Sequence, residues 1–293
     1  MNGTLLMNEP LSRHTSWRVG GPADRYYEPQ SREDLSAFVS SRPASEPIYW
    51  IGLGSNLLVR DGGVRGSVIG LHGALEKLEM NGEQEIYAEA GVHCARMAKF
   101  AVNAKLAGAG FFAGIPGTVG GALAMNAGAH GGETWDSVKE VEVMFHDGRC
   151  EWLPRSAFTY GYRHVEFPKD MIGFVAARFR FERDEAGNAE QEMKAWLARR
   201  KATQPVGKPS AGSTFRNPPG DHAARLIEAC GFKGHRIGGA QVSTLHANFI
   251  ITDDSATAAD VEALIAFLRA EVKQQKGIEL EPEVRVIGEP RHA

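Results

Sequence analysis

Two segments of this 293-residue chain have the residue types to hold an anion through the main chain. They are Gly52-Leu53-Gly54-Ser55-Asn56 and Ile115-Pro116-Gly117-Thr118-Val119-Gly120-Gly121. Glycine gives up packing and costs entropy, so it belongs where the backbone takes positive φ or comes close to something. Successive main-chain N–H groups in such a turn form a concave nest that binds phosphate without a helix macrodipole. Each segment alone reads equally well as a tight structural turn. Two of them, about sixty residues apart in a β-rich stretch, point to a nucleotide or dinucleotide cofactor. The first is a weak match to a dinucleotide-binding turn: a strand precedes Gly52 and Gly54, but Leu57-Leu58-Val59-Arg60 is too soon broken by Asp61-Gly62-Gly63 to be the required helix.

The composition bounds the partners. Apolar residues make up 43% and charged residues 24%, near the averages for soluble globular chains, while 34 glycines are well above them. A net charge of −3 with no basic run argues against a nucleic-acid surface. Cys94, Cys150 and Cys230 are odd in number and none has a C-x-x-C partner, so inert thiols in a reducing compartment and no metal site are expected. The opening MNGTLLMNEPLSRH has neither a signal nor a transit pattern, and no run of about 18 apolar residues suggests a membrane span. A cytoplasmic protein with no obligate protein partner is the expectation.

Around the glycine segments, the runs PIYWIGLG, GSVIGL, EIYAEAG, VKEVEVMF and MIGFVAARFRFE read as strands bounded by turns. SREDLSAF opens with a capping pattern and reads as a helix; CARMAKFAVNAKLAG reads as a helix running to Gly108. After residue 184 a charged helical pattern, EMKAWLARRKA, breaks at Pro205 and Pro209. The Gly/Asn-containing turn, the helix and the prolines place a boundary between two domains near residues 184–205. The second contains a helix DHAARLIEAC stopped by Gly231, a strand HANFIIT, a long helix and a strand pair IEL and EVRVIG. Val261, Leu264, Ile265, Leu268 and Val272 follow a helical stripe and are core.

Six segments in register, HTSWRVGGPA (14–23), GLGSNLLV (52–59), GIPGTVGGALAMNAGA (114–129), GYR (161–163), SAGSTFRNP (210–218) and EPEVRVIG (281–288), resemble the UDP-N-acetylenolpyruvoylglucosamine reductase family along nearly the whole chain. The resemblance implies an FAD-binding domain of the vanillyl-alcohol oxidase type over 1–190, with noncovalent FAD between two α+β lobes (about 1–66 and 67–190), then a smaller α+β substrate-binding domain over 191–293 whose last residues return to the first. It implies NADPH-dependent reduction of an enolpyruvyl ether on a UDP-sugar to the lactyl ether, in peptidoglycan precursor synthesis. No inserted loop follows Arg163, as in the shorter subclass. Carried over by motif, Gly52, Gly54, Ser55, Asn56 and Leu57 line the FAD pyrophosphate, and Gly117, Thr118, Gly120 and Gly121 form a second wall; Arg18 to Gly21 supports the same loops. Leu53, His130 and Val165 depart from the family pattern, and Leu53 tests whether its position needs positive φ.

The same resemblance names Arg163, Ser213 and Glu283 as catalytic. Hydride addition to the β carbon of an enol ether builds charge on the conjugated carboxylate, and an always-charged, bidentate guanidinium suits that charge. Ser213 would donate the proton to the α carbon. Glu283, beside a substrate carboxylate, would be held neutral and donate a hydrogen bond, since like charges disfavour ionisation; Glu281 is its rival. Lys208, Asn217 and Tyr162, with Arg216, are candidates for the UDP-sugar, and one pocket used in turn by NADPH and substrate implies ping-pong kinetics. Without the motifs, Arg163 reads as a structural arginine and Ser213 as a turn residue. Another FAD-dependent oxidase or dehydrogenase, or a non-catalytic nucleotide-binding module, remain the alternatives.

Overall fold

The computed structural model describes residues 2–291. Its contacts divide the chain into two compact units: Met1–Leu6, Arg25–Leu53 and Gly66–Arg199 form one; Met7–Asp24, Gly54–Arg65 and Arg200–Ala293 form the other. The division is discontinuous, and it passes through the first glycine segment between Leu53 and Gly54.

The centre of the first unit is a five-stranded antiparallel sheet in the order Cys150–Pro154, Val138–Phe145, Met171–Arg180, Glu85–Glu89, Leu78–Met80. Helix α1, Arg32–Ser40, starts at Ser31, whose hydroxyl accepts from the Asp34 amide at 3.1 Å, as the capping pattern predicts. It buries Leu35, Phe38 and Val39 with Val175 and Met144. Helix α2, Cys94–Asn103, and helix α3, Val119–Met125, bury Met97, Ala98, Ala101, Val119, Ala122 and Leu123 with Ile86, Val141, Val143 and Phe179. Ile48–Ile51 pairs in parallel with residues 67–70. Helix α4, Thr134–Ser137, is a single capped turn, and helix α5, Ala189–Thr203, is the charged helix read from the sequence.

Two expectations for this unit need correction. Helix α2 stops at Asn103, five residues short of Gly108, because Lys105 turns left-handed at φ 59 and Leu106–Ala107 pairs with Glu182–Arg183. The second glycine segment, read as a turn without a helix, contains the start of α3; the two glycines in its first turn hid a seven-residue helix behind their poor propensity.

In the second unit, helix α6, Ala223–Ala229, and helix α7, Ala258–Lys276, share a core with a three-stranded antiparallel sheet, Arg236–Ile237, Ala240–Val242 and Ile250–Thr252. The α7 stripe of Val261, Leu264, Leu268 and Val272 is fully buried. Thr257 caps the helix, the Asp61 carboxylate accepts from the Ala258 and Ala259 amides at 3.0 and 2.9 Å, and Gly277 ends it at φ 70. The expected IEL–EVRVIG pair does not form. Arg285–Ile287 pairs in parallel with Leu57–Val59 instead, a non-local pairing that no local pattern announces. HANFIIT is a strand only from Ile250, since residues 246–249 make a turn closed by Phe249 N donating to His246 O at 3.1 Å.

All three cysteines are free thiols, and burial pushes those of Cys94 and Cys150 up, away from reactivity. Among the described residues no helix is long and apolar enough to cross a membrane, and no group of three or more His, Cys, Asp or Glu is placed to hold a metal ion.

Candidate active site

In the first unit the two glycine segments touch. A Cβ on Gly52 would lie 2.4 Å from Thr118 Oγ1, so these residues pack with no room for a side chain. Thr118 is 2% exposed and is the N-cap of α3, its Oγ1 accepting from Gly121 N at 3.5 Å. The wall is stitched to residues 90–94: Cys94 N donates to Gly117 O at 2.9 Å, Val119 N to Val92 O at 2.8 Å and Gly120 N to Ala90 O at 2.8 Å. The Val119 and Gly120 amides are therefore spent inside the protein, which corrects the picture of a fully open nest. Among the described residues nothing accepts from the amides of Gly117 or Thr118, and a Cβ on Gly121 would meet only Thr118 Oγ1 at 3.8 Å. That surface fits close approach by a flat or phosphorylated group.

Arg163 occupies the turn between the short strands Tyr160–Gly161 and His164–Val165. Its backbone is left-handed at φ 55, an unfavourable conformation for a side-chain-bearing residue and one that clusters at functional sites. Nη2 donates to Gly128 O at 2.9 Å and Nη1 to Asn126 O at 3.3 Å, and the guanidinium lies 4.9 Å from the centroid of the Tyr162 ring. Tyr162 is 45% exposed, so the cation's aromatic neighbour faces solvent. Val165 is buried, and His130, at φ 53, stacks on Trp196 with ring centroids 5.2 Å apart.

In the second unit Gly54 takes φ 58, and a Cβ there would lie 2.2 Å from His14 O. Leu53 is absent from the positive-φ residues; the requirement sits one residue later. Gly54 O accepts from both the amide and the hydroxyl of Ser16 at 3.2 Å. Trp17 anchors that support, its Nε1 donating to Ile250 O at 2.7 Å and its carbonyl accepting from Thr252 Oγ1 at 2.6 Å. Among the described residues nothing accepts from the amides of Ser55 or Asn56, so this half of the loop keeps its donors for an anion.

Asn56 joins this loop to the remaining candidates. Its Nδ2 donates to Glu283 O at 3.1 Å and its carbonyl accepts from Arg285 N at 3.0 Å. Glu283 N donates to Thr214 O at 2.8 Å, and Arg216 N to Glu281 O at 2.9 Å. Ser213, partly exposed, therefore lies next to a residue paired with Glu283. Glu281 is largely exposed and is engaged by Arg216 at 2.9 Å. Asn217 Oδ1 accepts from Ala223 N at 3.1 Å, which commits that oxygen to starting α6, and Lys208 stands exposed on the preceding loop. Sequence reasoning missed Asn248. It is 3% exposed, and its Oδ1 and Nδ2 clasp Phe215 N and O at 2.9 and 2.8 Å, while its carbonyl accepts from Thr214 N at 2.8 Å. An asparagine inside the apolar run HANFIIT was the available signal, since a buried carboxamide must be satisfied.

The second unit thus offers the unspent amides of Ser55 and Asn56, and the first unit those of Gly117 and Thr118 with the open face of Gly121, donors of the kind an anionic cofactor uses. Comparison with known proteins gives the same cofactor class. Residues 23–154 match the FAD binding domain family, and residues 204–287 match the family described as UDP-N-acetylenolpyruvoylglucosamine reductase, C-terminal domain. The UDP-N-acetylenolpyruvoylglucosamine reductases of Methylococcus capsulatus and Alkalilimnicola ehrlichii are each 54% identical to this chain over 98% of it, and over 94% and 96% of their own lengths. The crystal structure of UDP-N-acetylenolpyruvylglucosamine reductase from Thermus caldophilus matches with a TM-score of 0.81 at 34% identity, covering 98% of this chain and 99% of that one. With identity of that level along its whole length, the chain belongs to the UDP-N-acetylenolpyruvoylglucosamine reductase family.

Proposed function

We infer that the protein reduces UDP-N-acetylenolpyruvoylglucosamine to UDP-N-acetylmuramate with NADPH, as a cytoplasmic step of peptidoglycan precursor synthesis on which cell shape and division draw. Ser55 and Asn56 in the second unit, and Gly117, Thr118 and Gly121 in the first, each have the main-chain donors or open face that would suit FAD, which when bound would supply the two-electron exchange linking NADPH to the substrate. The observation that carries the reading is the run of bonds Asn56–Glu283–Thr214, which ties the first glycine loop to both Glu283 and the residue after Ser213.

The chain's own residues then divide the work. Arg163 meets the substrate carboxylate and offsets the negative charge that builds on it, an interaction strongest where the charge is greatest. Main-chain carbonyls of Asn126 and Gly128 accept from its guanidinium and orient it. Ser213 delivers the proton to the α carbon. Glu283 donates a hydrogen bond to the developing enolate, while Glu281, paired with Arg216, is the neighbouring carboxylate set aside. Lys208, Tyr162 and the free amide of Asn217 serve the UDP-sugar.

The test is a colour cycle. Purified protein that takes up FAD should be bleached by NADPH and recoloured by UDP-N-acetylenolpyruvoylglucosamine. Protein that takes up no FAD overturns the flavoenzyme reading, and bleaching without recolouring assigns a different flavin reaction. Ser213→Ala should keep the NADPH step and slow recolouring by about 10²–10⁴-fold; equal slowing of both steps would reassign the serine to structure.

A further inference from the structure

Arg163 is long and flexible and sits at the tip of a turn, so its aim depends on what grips it. The residue that grips it from two directions is Asn126, which follows α3 and is 1% exposed. Its main-chain oxygen accepts from Arg163 Nη1 at 3.3 Å, and its carboxamide Nδ2 donates to Gly161 O at 3.0 Å, at the entry of the same turn. Nδ2 also donates to Glu133 Oε2 at 2.8 Å, and Oδ1 accepts from Trp135 N at 3.0 Å. Both amide hydrogens and the oxygen are used, as a buried carboxamide requires. Gly128, two residues on, accepts from Arg163 Nη2 at 2.9 Å, so the segment leaving α3 provides both carbonyls.

The segment is itself fixed. Trp135 is fully buried and its Nε1 donates to Leu123 O in α3 at 2.9 Å, while Thr134 Oγ1 donates to Ala127 O at 2.6 Å. Asn126 adopts φ 43 and ψ 50, a left-handed cap that asparagine, aspartate and glycine tolerate. Aspartate cannot donate to Gly161 O and would oppose Glu133; glycine has no carboxamide. Asparagine alone among the three meets every requirement. Helix α3 is capped by Thr118 in the glycine wall at one end and by Asn126 at the other, so one short helix relates the wall to Arg163.

We propose that Asn126 is a positioning residue for the reduction: its carboxamide sets the Tyr162–Arg163 turn and its carbonyl aims the guanidinium at the substrate carboxylate. The inference rests on the role given to Arg163 above. Asn126→Gly keeps the left-handed cap and the main-chain carbonyl while removing the carboxamide; Asn126→Asp keeps the shape and the acceptor while reversing the donor. FAD-loaded enzyme of each variant should bind FAD, followed by flavin fluorescence, and be reduced by NADPH within about twofold of wild type. Recolouring by substrate in stopped flow should slow by about 10²-fold, the scale of a misplaced reacting group. On an Arg163→Lys background, Asn126→Gly should cost far less than on wild type, because the two act as one unit. Additive effects, equal slowing of both half-reactions, or weakened FAD binding with normal recolouring would each make Asn126 a packing residue and overturn the proposal. Wild-type enzyme that is bleached but never recoloured would overturn the function instead.

Discussion

The two glycine segments look alike in sequence and are built on different physics. At Gly54 the backbone is left-handed and the missing side chain is required by a carbonyl 2.2 Å from where a Cβ would stand. At Gly121 the residue is in the first turn of a capped helix, with no left-handed φ and ordinary space for a methyl group. The first glycine is demanded by its own chain; the second is demanded, if at all, by what approaches it. Between them, Gly52 is demanded by Thr118. Glycine content alone therefore does not say whether a position serves folding or binding.

Substitutions can separate these cases. Gly54→Ala should have the largest effect, destabilising by about 3 kcal/mol or more, since strain at positive φ adds to a clash with main chain that cannot move aside. Urea unfolding measures it, and a loss under 1 kcal/mol would show that the loop relaxes. Gly52→Ala should cost about 1–3 kcal/mol as an overpacked contact. Its clash is with a side chain, so the double variant with Thr118→Ala should lose clearly less than the two single losses added, although the cap is gone. Strict additivity would mean that the two segments do not bear on each other.

Gly121→Ala should act in opposite directions. Alanine in a helix is favoured over glycine by about 1 kcal/mol, so the FAD-free protein should melt slightly higher. The methyl group would stand on the face left to the cofactor, so FAD should bind more weakly by flavin fluorescence. Unchanged FAD affinity would remove Gly121 from the wall.

The smallest effect is one of pH, and it falls on the Ser213 side. Burial, aided by the charge of Lys233 and opposed by Glu228, holds the His246 imidazole below its ordinary range, and its Nδ1 accepts from Asn248 N at 3.3 Å. The unfolded chain binds the proton first, at about pH 6.5. This stabilisation is therefore complete above that pH and is lost as pH falls through it toward the folded value. Thermal melting between pH 7 and 5 should show a decline that His246→Asn flattens; an equal decline in the variant would place its origin elsewhere.

Much of this was legible before any coordinates. The strand runs, the Ser31 start of α1 and the α7 stripe follow from period and capping chemistry, which are local. Helix α3 was not legible, because it opens on two glycines of poor helix propensity and its seven residues are too few for an apolar period to stand out. Nor was the pairing of Arg285–Ile287 with Leu57–Val59, more than two hundred residues apart, or the clasp of Asn248 on Phe215. Such contacts are chosen by the packed core, and no window of sequence contains both partners.

The sequence by itself determined the residue types: guanidinium, hydroxyl, carboxyl and two side-chain-free segments, in an order that identifies the chemistry. The tertiary structure decided which of them are held and how. It placed the carbonyls of Asn126 and Gly128 on Arg163, spent the Val119 and Gly120 amides while leaving those of Ser55 and Asn56, and paired Glu281 with Arg216 beside Glu283. A side chain's chemistry is set by its covalent structure, but its orientation and its unspent hydrogen bonds depend on neighbours brought from far along the chain.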